Sequence, residues 1–322
     1  SRRPFRMQKH SMRVSFKSKY GVSRLRFPFF KDSPIENYNK IVLRACFTDS
    51  WGLASWGPGR YRPNDSQYIC DMWMKHSMRD MGHDFTNGNF MHLYVNGLYW
   101  GLFNPAEKME AETLVTHLGG TEDDYDINDD FDTAPIDGTS ASWNEMHSLS
   151  RRDLKVEENY LALREMLDLE NFADYMLLHF FGDAEDWPHH NGHAMRNRGA
   201  GEPFKFYVWD QEIVLDNFRV ARYSSRDSGR PGGLFQELRD SKEFRLVFAD
   251  RVQKHLFNGG ALSVKPSQDR YMALANQIDK AIVAESARWG DTQMSTPYGN
   301  RIDQPRDPND VDDLAYPPAP HG

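Results

Sequence analysis

The chain has 322 residues, long enough to bury a large core in one big domain or two lobes. A net charge of -8 and an isoelectric point near 5.8 argue against a nucleic-acid binder, so an anionic ligand would have to be held by local cations. Mean hydropathy is -0.73 and no apolar run approaches the roughly 20 residues of a membrane helix, which excludes a spanning helix.

Ser1 in place of Met reads as a mature or excised chain, which leaves localisation open on composition. Two cysteines, Cys46 and Cys70, are too few for a disulfide framework and are not spaced as a metal pair; two buried thiols or one disulfide both fit. Aromatic residues at 13% suit a thick core and a carbohydrate-facing surface alike.

The first hundred residues read mainly as strands. Met12, Val14 and Phe16 alternate with Arg13, Ser15 and Lys17, Leu25 and Phe27 continue after a Tyr20-Gly21 turn, and a third strand runs from Lys40 to Phe47. Gly and Pro between Trp51 and Asn64 predict a loop without the strand-to-helix spacing of a phosphate cradle. A helix follows, capped near Asp65 or Ser66, with Ile69, Met72, Trp73 and His76 on one side and a stop at Gly82. The clearest local feature is a hairpin: Met91, Leu93 and Val95, then Asn96-Gly97, then Leu98, Trp100 and Leu102, with Asn-Gly suited to a type I′ turn. Asn104-Pro105 is expected to break the strand and to mark a lobe boundary.

The acidic stretch from Glu122 to Asp137 reads as a solvated loop. Helices are expected at about Glu157 to Leu167 and, capped by Asp168, at Glu170 to Phe181. Phe204, Phe206 and Val208 alternate as a strand that ends at Asp210; helices at about Gly233 to Phe257 and Ser267 to Arg288 follow, and a Pro/Asp-rich tail runs from Asp291. The expected organisation is a strand-rich N-terminal lobe over residues 1–104, a mainly helical C-terminal lobe over 105–290, and a tail over 291–322. The fold class is α+β, two-lobed and protein-kinase-like.

Chemistry concentrates in Asp186-Trp187-Pro188-His189-His190-Asn191 and Trp209-Asp210-Gln211-Glu212. Phosphoryl transfer asks a protein for a carboxylate that orients the acceptor hydroxyl, hard oxygen ligands for metal, and a cation on the phosphates. Asp186 fits the first role, and Asn191 and Asp210 fit the second with Glu212 in support. The Asp-x4-Asn spacing alone carries little, because it recurs at Asp32 and Asn37, Asp84 and Asn89, and Asp123 and Asn128. Context distinguishes Asp186: an apolar helix leads in, and a strand ending in two carboxylates follows. Turn chemistry is the plain alternative, since Pro188 and Asn191-Gly192 are turn formers.

With these parts in order, the chain resembles the spore coat protein H (CotH) kinase family over most of residues 8–257. The resemblance is carried by Lys9-His10-Ser11-Met12-Arg13-Val14, Tyr20-Gly21, Leu43-Arg44-Ala45 and Asp49-Ser50-Trp51. It continues in Leu93 to Leu102, Glu107-Lys108, the Asp186 to Asn191 loop and Trp209-Asp210-Gln211-Glu212. It implies a secreted or surface kinase that uses ATP and Mg to phosphorylate Ser or Thr of a protein; separately, a basic or Ser/Thr-rich acceptor is expected. By resemblance, Asp186 is the catalytic Asp, Asn191 and Asp210 are metal ligands, and Lys9 lies on the nucleotide phosphates, with Arg44 and Glu107 as further nucleotide-site candidates. ATP is expected between the break near Asn104 and the carboxylates. The helix after Ser66 has no Glu to pair with such a lysine, leaving Glu107 or Asp71 for that role. The chain departs from the family pattern at His10, Cys70, Ala184 and Glu212.

Two alternatives stay open. One is a catalytically weak pseudokinase serving as a surface binding or adhesion module. The other is a metal-dependent phosphoester hydrolase, suggested by His189 and His193 at the four-residue spacing of helical zinc pairs, although Pro188 and Asn191-Gly192 break the helix such a pair needs.

Overall fold

The computed structural model describes residues 9–31, 33–51, 66–84, 86–131, 135–215 and 229–290. The expected loop at 51–64 and the tail from 291 lie almost wholly outside these residues. The chain forms two compact units, one of residues 1–70, 87–107 and 272–322, the other of 71–86 and 108–271. Where the sequence suggests one cut near Asn104, the chain passes between units after Cys70, Thr86, Glu107 and Tyr271.

The first unit is built on an antiparallel sheet of β1 (Met12–Ser15), β4 (Lys40–Arg44), β5 (Met91–Val95) and β6 (Leu98–Ala106), in the order β1-β4-β6-β5. A two-stranded ribbon of β2 (Leu25–Arg26) and β3 (Asn37–Tyr38) accompanies it. The hairpin forms as read: Asn96 and Gly97 both have positive φ (51° and 81°), as a type I′ turn demands. The expected break at Asn104-Pro105 does not occur. β6 continues to Ala106, with Pro105 opposite Leu43 and its carbonyl accepting from the Asn89 amide, so the missing proline N–H does not end the strand. Ile41, Leu43, Ala45, Phe30, Tyr38 and Phe103 form the core of this unit.

In the second unit, α1 (Cys70–Asp80) is the helix expected after Ser66, but it starts later. The residues that lead into it are held within the first unit, where Asp49 accepts from the backbone amides of Gln67 (2.6 Å) and Cys70 (3.2 Å). Both cysteines are buried free thiols. Next come α2 (Ala111–Leu118), β7 (Tyr125–Asp129), β8 (Pro135–Asp137), α3 (Ala141–Ser150), α4 (Glu157–Arg164) and α5 (Leu169–Phe181). β9 (Gly192–Asn197) and β10 (Lys205–Val208) complete an antiparallel sheet of order β10-β9-β7-β8.

The acidic stretch is therefore no solvated loop; it holds an inner strand of that sheet. Tyr125 and Ile127 enter a cluster with Leu114, Met195 and Tyr207, while the buried Asp126 accepts from Arg198 and from the Thr139 amide. Compensation of the acids by distant partners is what the local charge density concealed. The Asp168 cap is confirmed by its 3.0 Å bond from the Asn171 amide, and α5 is buried on nearly every side. Its Phe172 and Tyr175 ring centroids lie 4.9 and 5.4 Å from that of the fully buried Phe206. The two long C-terminal helices expected each divide in two: α6 (Pro231–Leu238) and α7 (Lys242–Leu256), then α8 (Val264–Ile278) and α9 (Ala281–Trp289). Ser241 caps α7 by accepting from the Phe244 amide, which explains the first break.

Candidate functional site

Antiparallel pairing of β9 with β10 sets Gly192 opposite Val208. Asn191 immediately precedes β9 and Trp209-Asp210 immediately follows β10, so the two motifs emerge at the same end of the hairpin. Asn191 (φ 64°) and Asp210 (φ 56°) are both left-handed, a conformation that Asn and Asp tolerate better than most residues. Side-chain space explains Gly192: a Cβ there would come within 2.5 Å of the Tyr175 hydroxyl and closer still to Phe131.

The loop is anchored at its base. Trp187 is buried, donates from Nε1 to the Tyr175 hydroxyl at 3.0 Å, and stacks on His179 with centroids 4.7 Å apart. Burial pushes the His179 imidazole down to about 3, so it is neutral near pH 7, and it pushes the Tyr175 hydroxyl up. The Asn191 amide N–H donates to Asp130 at 2.7 Å, and its Nδ2 donates to the Asp186 carbonyl at 3.0 Å. Its Oδ1 is therefore the atom the side chain can offer to a cation.

Gln211 ties the two motifs together. Its Nε2 donates to the Asn191 carbonyl at 2.7 Å and to the Trp209 carbonyl at 3.1 Å, while its backbone amide donates to Asp71 at 2.8 Å. Asp71 in turn pairs with Lys75 one turn along α1 at 2.9 Å, and the Lys75 ammonium lies 4.7 Å from the Trp209 ring centroid. A buried lysine thus supports the turn that presents Asp210 and Glu212. Gln211, Asp71 and Lys75 received no such role from the sequence. The available signal was a lysine inside Met72-Trp73-Met74-Lys75, four residues after an acid on a helix otherwise facing inward.

Asp186, Asn191, Asp210 and Glu212 all belong to the second unit, and the hydrogen bonds through Asn191 and Gln211 link the segments that carry them. Lys9, Arg44 and Glu107 are buried in the first unit. Lys9 has an acidic partner, and it is neither Glu107 nor Asp71: Nζ lies 2.6 Å from Glu285 of α9 and also donates to the Leu102 carbonyl. Glu285 further accepts from the Leu102 amide at 2.6 Å and from the Tyr68 hydroxyl at 3.1 Å. Gly101 permits this approach, since a Cβ at its φ of 141° would sit 2.8 Å from Glu285. Glu107 accepts from the backbone and side-chain amides of Asn87 at 3.0 and 2.7 Å.

The histidines divide into two groups. His193 Nδ1 is 2.9 Å from Asp129, and its ring lies 5.2 Å from that of Trp209. Burial raises the Asp129 carboxyl, but the hydrogen bond and charge of His193 outweigh it and the net displacement is downward. His189 and His190 instead face Asp186, with Nε2 atoms 3.5 and 3.1 Å from Oδ1.

The fold is a mixed α+β one, and its candidate site joins an Asp-x4-Asn loop by hydrogen bonds to a strand-end turn that carries two carboxylates. The chain belongs to the CotH kinase protein family, whose model matches residues 5–307. No curated protein matches it. Among the described residues no helix is long and apolar enough to cross a membrane.

Proposed function

We propose that this protein is an ATP- and Mg-dependent protein kinase that phosphorylates Ser or Thr of a secreted or surface protein, a reading supported by its CotH kinase family match. The observation that supports the reading is the pair of bonds from the Asn191 side chain to the Asp186 carbonyl and from the Gln211 side chain to the Asn191 carbonyl, which ties the loop carrying Asp186 to the turn carrying Asp210. The donor set fits the cofactor: Asn191, Asp210 and Glu212 offer the hard oxygens that Mg prefers. Bound MgATP supplies the transferable phosphoryl group and the positive charge that neutralises it. Asp186 accepts the hydrogen bond of the acceptor hydroxyl and orients its oxygen. Asn191, locked by Asp130 and by the Asp186 carbonyl, holds its Oδ1 without having to be ordered at the moment of reaction. Lys75 is a positioning residue acting through Asp71 and Gln211. Lys9, Arg44 and Glu107 stand as nucleotide-site candidates on family resemblance alone, with a basic or Ser/Thr-rich protein as the acceptor.

Calorimetric titration of ATP with and without Mg, on the wild type and Asp210→Ala, paired with radiolabelled phosphate transfer, tests the reading. Metal-dependent binding and transfer, both lost in the variant, are expected. Binding without transfer would mean a pseudokinase, and no binding would return the adhesion and hydrolase readings.

A further inference from the structure

Among the described residues, one group of histidines, cysteines and carboxylates has its ligand atoms close enough to hold an ion: those of Asp186, His189 and His190 lie within 4.8 Å of one another. Two of the separations are informative. A tetrahedral zinc with bonds of about 2.0–2.1 Å sets its ligand atoms roughly 3.3 Å apart. The His190 and His189 Nε2 atoms lie 3.1 and 3.5 Å from Asp186 Oδ1, on either side of that value. Both nitrogens approach the same carboxylate oxygen.

The backbone carrying these groups is held independently of them. Trp187 is fixed by Tyr175, and the Asp186 carbonyl by Asn191, so three ligands within five residues need little ordering when an ion arrives. The His189 side chain is 47% exposed and that of Asp186 only 15%, so the group opens to solvent on one side, where water can complete the coordination. Its chemistry also differs from that of the other proposed metal ligands. Two imidazoles and one carboxylate suit a borderline-soft cation such as Zn and do not suit Mg, which prefers the oxygens of Asn191, Asp210 and Glu212.

We propose that Asp186, His189 and His190 form a zinc-class site whose occupancy switches off phosphoryl transfer. The consequence rests on the kinase reading; the site itself does not. A cation on Asp186 Oδ1 neutralises the charge with which that carboxylate would accept the hydrogen bond of the acceptor hydroxyl. It leaves the oxygens proposed for Mg untouched. Zinc inhibition is therefore competitive with the protein acceptor and not with ATP.

The test uses untagged full-length protein with Mg in excess. Zinc is titrated against a fluorescent chelator, and the absorption spectrum of added Co2+ is recorded, for the wild type, His189→Ala, His190→Ala and Asp210→Ala. We expect one equivalent of zinc on the wild type and a Co2+ spectrum of low coordination number. Affinity should fall by roughly 10- to 100-fold or more in each histidine variant, since even a partner outside the ligand shell is worth that much. Asp210→Ala should keep the zinc site while losing Mg-dependent ATP binding, which separates failure of this inference from failure of the kinase reading. Histidine variants with unaltered circular dichroism that bind zinc like the wild type would overturn the site. Transfer that continues at one bound equivalent of zinc would overturn the switch.

Discussion

The Gln211 side-chain amide donates to the Asn191 main-chain carbonyl at 2.7 Å, and this bond joins the loop carrying Asp186 to the turn carrying Asp210. Gln211 is almost fully buried, so its loss leaves the Asn191 carbonyl without this donor in a place that water reaches poorly. Gln211→Ala should cost about 1–3 kcal/mol in stability. Because the two proposed ligand segments are no longer tied together, Mg-dependent ATP affinity should fall along with turnover. Calorimetry and denaturant unfolding on one preparation check both, and unchanged ATP affinity at reduced stability would leave Gln211 a structural role only.

Lys9 and Glu285 are both fully buried and lie 2.6 Å apart. Glu285→Gln leaves the lysine charge enclosed without its counter-charge, and a loss of about 3–5 kcal/mol is expected. Lys9→Met combined with Glu285→Leu should recover much of it, because removing both charges removes the uncompensated one. Denaturation midpoints of the two variants decide; equal midpoints would contradict the pairing.

Asp174 on α5 accepts from Arg251, from His83 at 2.6 Å and from His255 at 3.2 Å. Burial pushes its carboxyl up, but the bonds from His255, His83 and Arg251 outweigh this and hold it well below the model-peptide value of 3.8. A depressed folded value contributes stability that is complete above 3.8 and is lost as pH falls from there toward the folded value. Asp174→Asn should therefore be less stable than wild type at pH 7, with the gap narrowing below pH 3.8. Urea midpoints at pH 7, 4 and 3 measure it.

His179 is held neutral where Asp174 is held charged, yet both refuse a proton in the folded state, so the sign in stability is the same. The His179 value falls from 6.5 to about 3 on burial, so the unfolded chain binds a proton that the folded one refuses. Stability is full above 6.5 and declines as pH drops from 6.5 toward about 3. His147, lowered to about 4 by burial and by Arg151, adds to the same slope. His179→Phe should retain a ring against Trp187 and flatten the decline between pH 6.5 and 5; an unaltered slope would show that other groups set it.

The sequence by itself determined what depends on neighbours along the chain. Asn96-Gly97 dictated the hairpin turn because both positions need positive φ, Asp168 dictated the start of α5 because its oxygen reaches an amide three residues on, and the Asp186 and Asp210 motifs stood out from their apolar approaches. Tertiary structure decided whatever depends on a partner far along the chain. Glu285 as the counter-charge of Lys9 lies 276 residues away, and the Gln211 amide finds Asp71 across 140. The acidic stretch became an inner strand through Arg198, 72 residues beyond Asp126. Burying a charge is tolerable only when a specific partner meets it, and no local pattern of residues records which distant partner the fold will bring.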